Sequence, residues 1–401
     1  MGKPEIRFKG YTDEWEQRKL GEVAQYRRGS FPQPYGKPEW YDGENAMPFV
    51  QVADVADNMK LVSDTKQKIS ELAQPMSVFA EKGSVLVTLQ GSIGRVAITQ
   101  YGAFVDRTVL IFEDYKTEIA NAFWAYIVKQ KFIEEAKKAP GGTIKTITKE
   151  VLSDFDMMLP SYDEQVRLGA YFQSIDYLIT LHQRKCDEVK SLKKYMLQKM
   201  FPQNEQKVPE IRFEGFTEAW EQRKFGSLLE ETRNKTTVED EDTLLSCAID
   251  GMYLNSELFS HFRGSSNIGY LKIKKNDLIL SAQNLHLGNC NVNLRFEHGI
   301  ISPAYKVYEL VGCNPLFMQA WVKKDSTKDF FLKASTEGAS VCRKNIVWEE
   351  LYKQELSIPN IEEQTKVGKY FNSLDHLITL HQQKCEELKK IKKFMLQKMF
   401  V

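Results

Sequence analysis

Hydrophobic residues recur at steps of three and four along two long stretches of the chain, residues 161–201 and 360–401. Stepping in this way from Leu168, and again from Val367, reaches mostly apolar positions, the spacing of an amphipathic helix with a heptad-like seam. One such helix cannot cover its own apolar stripe, whereas a second helix of the same pattern can. The pattern therefore predicts two long helices that pack as an antiparallel coiled coil.

The two stretches begin with the same signals. Ser161 and Asn360 each follow a proline and are suitable N-cap residues, because their side chains can accept hydrogen bonds from the first helical turn. Glu164 and Glu363 stand three residues further on. This spacing predicts a capping box at the start of each helix.

Two blocks of sequence occur twice in the chain. Pro4–Gly21 returns as Pro209–Gly226 with 13 of 18 positions identical, and Tyr171–Phe201 returns as Tyr370–Phe400 with 22 of 31 identical. The residues between the blocks differ between the two halves. A shared frame with a different filling predicts a pseudo-two-fold internal repeat that carries two modules with different binding preferences. The cyclic order of the blocks also predicts that the start and the end of the chain lie close together.

Each divergent middle has the pattern of an α+β module of about 140 residues. The segments Gly83–Gln100 and Asn276–Asn293 predict a strand, a turn and a second strand. Helical stretches and then loops of small residues follow, at 121–139, 314–335, Pro140–Thr148 and Glu337–Asn345. The predicted fold class is α+β, with two α/β modules separated by the long helices. The predicted divisions of the chain are residues 1–160, 161–201, 202–208, 209–359 and 360–401.

Composition narrows the function only a little. Of the 401 residues, 42% are hydrophobic and 27% are charged, as in a globular protein, and the net charge of +1 neither favours nor excludes nucleic acid. No apolar run has the length of a membrane span and the N-terminus lacks the pattern of a secretory signal, so we expect a cytoplasmic protein. The six cysteines form no CxxC pair and are expected to be free thiols.

A histidine and a cysteine stand four residues apart on each long helix, His182 with Cys186 and His381 with Cys385. In an antiparallel pair the four side chains could meet, and two histidines with two cysteines are a zinc-type ligand set. The alternative is a polar layer of the coiled coil that sets its register. The sequence leaves both alternatives open.

Motifs of enzymatic chemistry are missing from the sequence. It has no GxxxxGK[ST] phosphate loop and no HExxH zinc motif. The segment NPLF, Asn314–Phe317, resembles the adenine-methylase motif, but Leu316 replaces its second proline, and we interpret the segment as the start of a helix. We therefore expect no catalytic residue or cofactor in this chain, and no metal apart from the zinc-site alternative at the two histidines and two cysteines.

The loops of both middles contain side chains that can contact base edges. Arginine pairs with guanine, asparagine and glutamine pair with adenine, and serine and threonine pair with either base. Because such residues occur in equivalent loops of the two halves, we predict that both modules bind DNA. The candidate DNA-binding residues are Arg27, Arg28, Gln90, Arg95, Thr143 and Lys145 in the first half and Arg233, Asn234, Lys235, Gln283, Asn284, Ser340, Arg343 and Lys344 in the second.

The repeated blocks resemble a known family. The opening PEIRFKGYTDEWEQRKLGEV, the helix starts LPSYDEQ and IPNIEEQ, and the two LITLHQxKC…MLQKMF helices resemble the specificity subunit of type I restriction-modification systems. The similarity covers the whole chain, although the middles match only in outline. The resemblance implies two target-recognition domains separated by a long antiparallel two-helix coiled coil. Each domain is then expected to read one half of a split, asymmetric DNA site, while the helices set the spacer.

The resemblance also implies partners that carry the chemistry. Two methyltransferase subunits would hold S-adenosylmethionine and methylate adenine, and restriction and translocase subunits would use ATP and Mg²⁺. The specificity subunit itself would be non-catalytic. The helix positions expected to contact the methyltransferase subunits are Leu178, Leu192, Met196, Leu377, Ile391 and Met395.

Two other functions stay open at the level of sequence. The chain could be a stand-alone methyltransferase with its own recognition domain, or a scaffold with two protein-binding modules. Binding of S-adenosylmethionine by the isolated chain would favour the first alternative. Salt-dependent binding of duplex DNA would exclude the second.

Overall fold

The computed structural model describes residues 2–138, 149–203, 206–260, 266–340 and 343–401. The chain divides into two compact units, the first formed by residues 1–184 and 382–401 and the second by residues 185–381. Both long helices therefore contribute to both units. The predicted fold class of α/β modules with two long helices is confirmed.

Elements are numbered in chain order. In the first half they are β1 (Glu16–Lys19), α1 (Leu20–Val23), β2 (Ala24–Arg28), β3 (Met47–Val50), β4 (Gln67–Ile69), β5 (Val78–Ala80), β6 (Val85–Thr88), β7 (Val96–Ile98), β8 (Ala103–Val105), β9 (Val109–Tyr115), α2 (Asn121–Lys138), α3 (Lys149–Ser153), β10 (Asp156–Leu159) and α4 (Tyr162–Lys199).

The second half continues the numbering. Its elements are β11 (Glu221–Lys224), β12 (Leu229–Thr232), β13 (Leu245–Ala248), β14 (Gly251–Leu254), α5 (Asn255–Leu258), β15 (Leu271–Lys274), β16 (Leu278–Ser281), β17 (Cys290–Val292), β18 (His298–Ile301), β19 (Tyr305–Leu310), α6 (Pro315–Val322), α7 (Asp325–Lys333), β20 (Ser335–Ser340), β21 (Arg343–Ile346), α8 (Trp348–Lys353), β22 (Glu355–Ile358) and α9 (Ile361–Met399).

A four-stranded antiparallel sheet lies at the centre of each module. Its strand order is β2-β9-β6-β7 in the first unit and β12-β19-β16-β17 in the second. The first unit adds a second four-stranded sheet, β4-β3-β8-β5, in which β3 and β8 are parallel. The second unit adds the two-stranded sheets β13-β14, β15-β18 and β20-β21. The predicted strand pairs in Gly83–Gln100 and Asn276–Asn293 are thus confirmed as β6 with β7 and β16 with β17.

Two predictions for the second middle need correction. The helical stretch predicted at 314–335 is divided into α6 and α7, which are separated at Lys323 and Lys324. Of the segment predicted as a loop, Glu337–Asn345, residues 337–340 lie in β20 and residues 343–345 lie in β21, and Ser335 of β20 pairs with Ile346 of β21. Backbone pairing builds this hairpin from small and polar residues, which carry no alternating hydrophobic pattern. The corresponding loop of the first half, Pro140–Thr148, lies outside the described residues.

The start of each long helix is joined to the repeated opening block by an arginine–glutamate pair. The carboxylate of Glu164 accepts bonds of 2.8 and 2.7 Å from Arg7, and that of Glu363 accepts two bonds of 2.7 Å from Arg212. Both glutamate side chains are only 1% exposed. The predicted N-cap at Asn360 is confirmed, because its side chain accepts a 2.9 Å bond from the Glu363 N–H. The glutamate side chains of the predicted capping boxes bind the arginines.

The glutamine that follows each glutamate holds the first turn of a module helix. Gln165 accepts a 3.1 Å bond from the N–H of Ala120, which precedes α2, and donates to the carbonyl of the proline before its own helix. Gln364 accepts a 2.7 Å bond from the N–H of Asn314, which precedes α6, and donates in the same way. The two modules are therefore seated on the long helices by the same bonds.

Segments of the long helices run antiparallel within each unit. In the first unit, residues of α4 contact residues at the C-terminal end of the chain in this order: Phe172 with Phe400, Asp176 with Lys392, and Ile179 with Cys385. In the second unit the corresponding pairs are Phe201 with Phe371, Lys193 with Asp375, and Cys186 with Ile378. Residue numbers rise along one helix as they fall along the other. The predicted antiparallel direction is confirmed inside each unit.

The two ends of the chain meet within the first unit. The N–H of Ile6 donates a 2.9 Å bond to the carbonyl of Lys398, and the ammonium of Lys398 pairs with Glu5. The second opening block repeats the contact, with a 2.9 Å bond from the Ile211 N–H to the carbonyl of Lys199. The predicted proximity of the chain ends is therefore confirmed.

A glycine in each long helix allows a module helix to approach closely. A methyl group on Gly169 would lie 2.7 Å from Cβ of Ala122 and 2.8 Å from the backbone nitrogen of Phe123. A methyl group on Gly368 would meet Leu316 at 2.7 Å and the backbone nitrogen of Phe317 at 2.6 Å. Real Cβ contacts are never this short, so the packing requires glycine at both positions.

Replacing Gly169 by alanine is expected to destabilise the protein. At an open helical site the change would raise the free energy of unfolding by about 1 kcal/mol. Here the added methyl group overlaps backbone atoms of α2, so we expect a net loss of about 1–3 kcal/mol, measured by urea denaturation. Ala170→Ser is the control at the exposed neighbouring position and should change stability little. A stabilised G169A variant would contradict the packing.

Candidate nucleic-acid interface

Three loops meet at one end of the β2-β9-β6-β7 sheet. Backbone bonds join them: the Gly29 N–H donates to the Val109 carbonyl over 3.0 Å, and the Leu89 N–H donates to the Thr108 carbonyl over 2.8 Å. Arg28 ends β2, Gln90 follows β6 and Arg95 precedes β7, so the strand order brings these predicted residues to the same end. Arg28 and Gln90 are exposed there.

Two of the predicted arginines in the first unit are held by carboxylates. Arg27 lies on β2 and forms an ion pair with Glu113 of the neighbouring strand β9. Arg95 pairs with Asp57 over 3.1 Å and donates to the Val55 carbonyl over 3.4 Å. These are partly exposed pairs, which exchange partners at little cost because solvent screens them.

The side chains of four predicted residues lie outside the described part of the chain. Thr143 and Lys145 lie outside the described residues. Ser340 and Arg343 face each other across the β20-β21 hairpin, but their side chains lie outside the described part of the chain. Their assignment to DNA binding stays a prediction.

The second unit presents predicted residues at the equivalent end of its sheet. Arg233 and Asn234 follow β12, and Gln283 and Asn284 follow β16. A 3.3 Å bond from the Lys344 N–H to the Gln283 carbonyl attaches the β20-β21 hairpin to this end. Strand order thus gathers side chains that are more than one hundred residues apart in the sequence.

Charge at this end is balanced locally. Arg233 is exposed and donates to Glu231 over 2.6 and 3.1 Å. Burial opposes ionisation of Glu231, but the charges and hydrogen bonds of Arg233 and Lys306 lower its pKa below the usual value. Lys235 is exposed and its backbone bridges to Leu271. At this end of the second sheet, the carboxylate of Glu231 therefore pairs with both Arg233 and Lys306.

Two residues near these ends were missed by the sequence analysis. Arg107 is exposed on the turn between β8 and β9, where it shares the end of the first sheet with Arg28 and Gln90. His286 lies in a short 3-10 helix directly after Asn284 and is buried. No local pattern marks either residue, because their positions depend on the strand order of the folded sheet.

His286 is a buried imidazole near the charge of Lys344. Within the part of the chain that the structure describes, neither ring nitrogen has a hydrogen-bond partner. Burial, and secondly the Lys344 charge, lower the pKa of His286 below its usual value. Both effects favour the neutral form of the imidazole in the folded protein.

The His286 pKa predicts a pH dependence of stability. Because its pKa is lower in the folded than in the unfolded chain, the unfolded chain binds more protons as the pH falls below about 6.5. This contribution to stability is complete above that pH and is lost on acidification. In His286→Leu, the loss of unfolding free energy between pH 7.5 and 5 should be smaller than in the wild type, as measured by urea denaturation.

The exposed His376 supplies the matched control. His376→Leu is measured at the same two pH values, so that removal of the buried imidazole is compared with removal of an exposed one. An unchanged pH dependence in His286→Leu would contradict the assignment of a neutral, buried imidazole.

Most of the helix positions predicted to contact partner subunits are exposed. Leu178, Leu192, Leu377 and Ile391 are about 40% exposed, at equivalent positions of the two repeats. Met196 and Met395, which were predicted with them, are half-buried against the hydrophobic cores of the second and first units. The side chains that cover the helix seam are instead residues such as Phe172 and Phe371.

The two cysteines of the predicted histidine and cysteine set form hydrogen bonds to backbone carbonyls. The buried thiol of Cys186 donates to the Ile378 carbonyl over 3.9 Å, and that of Cys385 donates to the Ile179 carbonyl over 3.6 Å. Among the described residues, no group of three or more histidine, cysteine, aspartate or glutamate side chains is arranged to hold a metal ion.

None of the described helices has the length and apolarity needed to cross a membrane.

Comparison with known proteins identifies related sequences and folds. Residues 12–191 match the family model of the type I restriction modification DNA specificity domain. A type I restriction-modification system S subunit from M. genitalium has a TM-score of 0.64 and 14% identity, covering 100% of this chain and 99% of that chain. A chain from a structural study of complex assembly and conformational transition of the type I R-M system has a TM-score of 0.52 and 14% identity, covering 97% and 98%. Likenesses at such low identity concern the fold alone.

Proposed function

We propose that the chain, whose residues 12–191 match the family model of the type I restriction modification DNA specificity domain, is the DNA-recognition subunit of a type I restriction-modification complex. Each module reads one half of a bipartite, asymmetric site in double-stranded DNA. The length of the long helices sets the spacer between the half-sites. The chain acts in the cytoplasm.

The observation that carries this proposal is a repeated frame that presents different loops at equivalent positions. The frame contacts of Arg7 with Glu164 recur as Arg212 with Glu363. The sheets β2-β9-β6-β7 and β12-β19-β16-β17 have the same order, yet their ends carry different polar side chains. Two equal supports with unequal reading surfaces suit an asymmetric target with two half-sites.

The exposed apolar side chains of the long helices support the docking of two copies of one partner. Leu178 corresponds to Leu377, and Leu192 corresponds to Ile391, by the internal repeat. Equivalent apolar patches on the two repeats suit two methyltransferase subunits, one for each repeat. S-adenosylmethionine, ATP and Mg²⁺ then belong to the methyltransferase and restriction subunits, and this chain stays non-catalytic.

Exchange of one middle tests the modular reading of DNA. A chimera keeps both opening blocks and both long helices and receives the first middle of another specificity subunit. We expect methylated adenines, mapped across the host genome, to change in one half of the recognition motif while the other half stays unchanged. A change in both halves would contradict independent reading by the two modules.

Lengthening a long helix tests the role of the helices in spacing. Insertion of one helical turn into α4, with a matched insertion into α9, should alter the permitted spacer or abolish methylation while each half-site keeps its sequence. The readout is the same genomic map of methylated adenines. An unchanged spacer at the same targets would refute this role.

Two measurements separate the rival functions from the proposal. The isolated chain should not bind S-adenosylmethionine in calorimetry, whereas a stand-alone methyltransferase would. It should bind duplex DNA with an affinity that falls as salt rises, because phosphate contacts release counterions. A protein-binding scaffold would lack this dependence.

A further inference from the structure

We call the end of each central sheet that carries the candidate DNA-binding residues its reading end; in the first sheet it carries Arg28 and Gln90. The turn between β8 and β9 lies at this end and is fixed by hydrogen bonds and close packing. Asp106 is buried, and its Oδ1 accepts bonds of 2.9 Å from the Thr108 N–H and 2.5 Å from the Thr108 hydroxyl. Gly29 lets the neighbouring loop press against this turn, because a methyl group there would lie 2.1 Å from the Val105 carbonyl oxygen. Arg107 is therefore presented from a fixed backbone.

The guanidinium of Arg107 rests on an aromatic face. It lies 5.9 Å from the ring centroid of Tyr35, which is itself 53% exposed. Phe31 packs beneath Tyr35 with ring centroids 4.8 Å apart. Stacking on an aromatic ring orients an arginine without occupying its hydrogen-bond donors.

Arg107 has no carboxylate partner among the described residues, whereas three of the candidate arginines do. Arg27 pairs with Glu113, Arg95 with Asp57 and Arg233 with Glu231. The hydrogen-bond donors of Arg107 are thus left for a ligand. A planar fork of donors on a rigid turn suits a ligand with two adjacent acceptors.

The second unit has the same turn without the arginine. There the N–H of Ala304 donates to the hydroxyl of Ser302 over 3.3 Å, and Pro303 stands at the position of Arg107. Proline offers no hydrogen-bond donor. The two modules are therefore expected to differ in base choice at this point.

We propose that Arg107 determines specificity in the first half-site by donating two hydrogen bonds to O6 and N7 of one guanine, with Tyr35 orienting its guanidinium. Guanine is the base whose major-groove edge presents two adjacent acceptors. This inference rests on the proposed function. A phosphate is the competing ligand, and it would contribute affinity without sequence choice.

Selection from randomised DNA tests this inference. The full-length chain, alone and as the complex purified from its host, is incubated with a pool of randomised duplexes, and the bound duplexes are sequenced. The variants are R107A, R107K and K82A. Lys82 is exposed on the turn before β6, at the opposite end of the sheet, so K82A removes one positive charge away from the reading end.

The wild type and K82A should select the same bipartite motif. R107A should lose preference for one guanine in one half-site, with discrimination falling roughly 10- to 100-fold, while the other half-site is unchanged. R107K keeps the charge but not the planar fork, so it should lose much of the same preference. Thermal unfolding checks that each variant is folded. If R107A does not fold, the motif selected by R107K decides whether Arg107 determines base choice.

The outcomes separate this inference from the proposed function. An unchanged motif in R107A and R107K overturns the role of Arg107 and leaves the proposed function standing. A loss of affinity that is equal for all DNA sequences, with a reduced salt dependence, would indicate a phosphate contact. This result also overturns the role of Arg107 in base choice and leaves the proposed function standing. Failure of the wild type to select any sequence would overturn the proposed function, and the role of Arg107 with it.

Discussion

Each long helix starts on a buried arginine–glutamate pair, and the rest of each unit depends on this contact. Removal of a carboxylate from water is costly unless both of its oxygens are bonded. Arg7 and Arg212 satisfy Glu164 and Glu363 with two bonds each. Loss of either partner would leave a buried charge without compensation. The opening block and the helix start are therefore kept together, which explains their joint repetition in the sequence.

The hydrogen bonds that hold the start of each module helix on the frame go to backbone atoms of the module. Gln165 and Gln364 bind the N–H of the residue that precedes a module helix, whatever its side chain. Gly169 and Gly368 give the first turn of that helix room to approach. A module that begins its helix at this place can make these bonds whatever its first side chain, while apolar side chains such as Phe123 and Phe317 pack in the cores that the long helices share. The frame can thus stay constant while the loops at the far end of the sheet vary.

The sequence predicted the frame well because its signals are local or repeated. The helices, the cap at Asn360, the turn between β6 and β7 and the meeting of the chain ends all follow from patterns within a few tens of residues or from the internal repeat. The hairpin of β20 and β21 was missed because it has no hydrophobic alternation. Arg107 was missed for another reason. It joins Arg28 and Gln90 only through the order of strands, which no local pattern records.

Under the proposed function, the ion pairs at the reading ends would affect the balance between affinity for DNA of any sequence and preference for particular bases. Exposed pairs such as Arg27 with Glu113 contribute roughly 0–1 kcal/mol, so a phosphate can replace the carboxylate at little cost. In the proposed complex with DNA, the displaced carboxylate would repel the phosphates, which would limit the gain from non-specific contact. Under the proposed function, this repulsion would keep non-specific affinity low, and contacts to bases would decide where the protein stays bound.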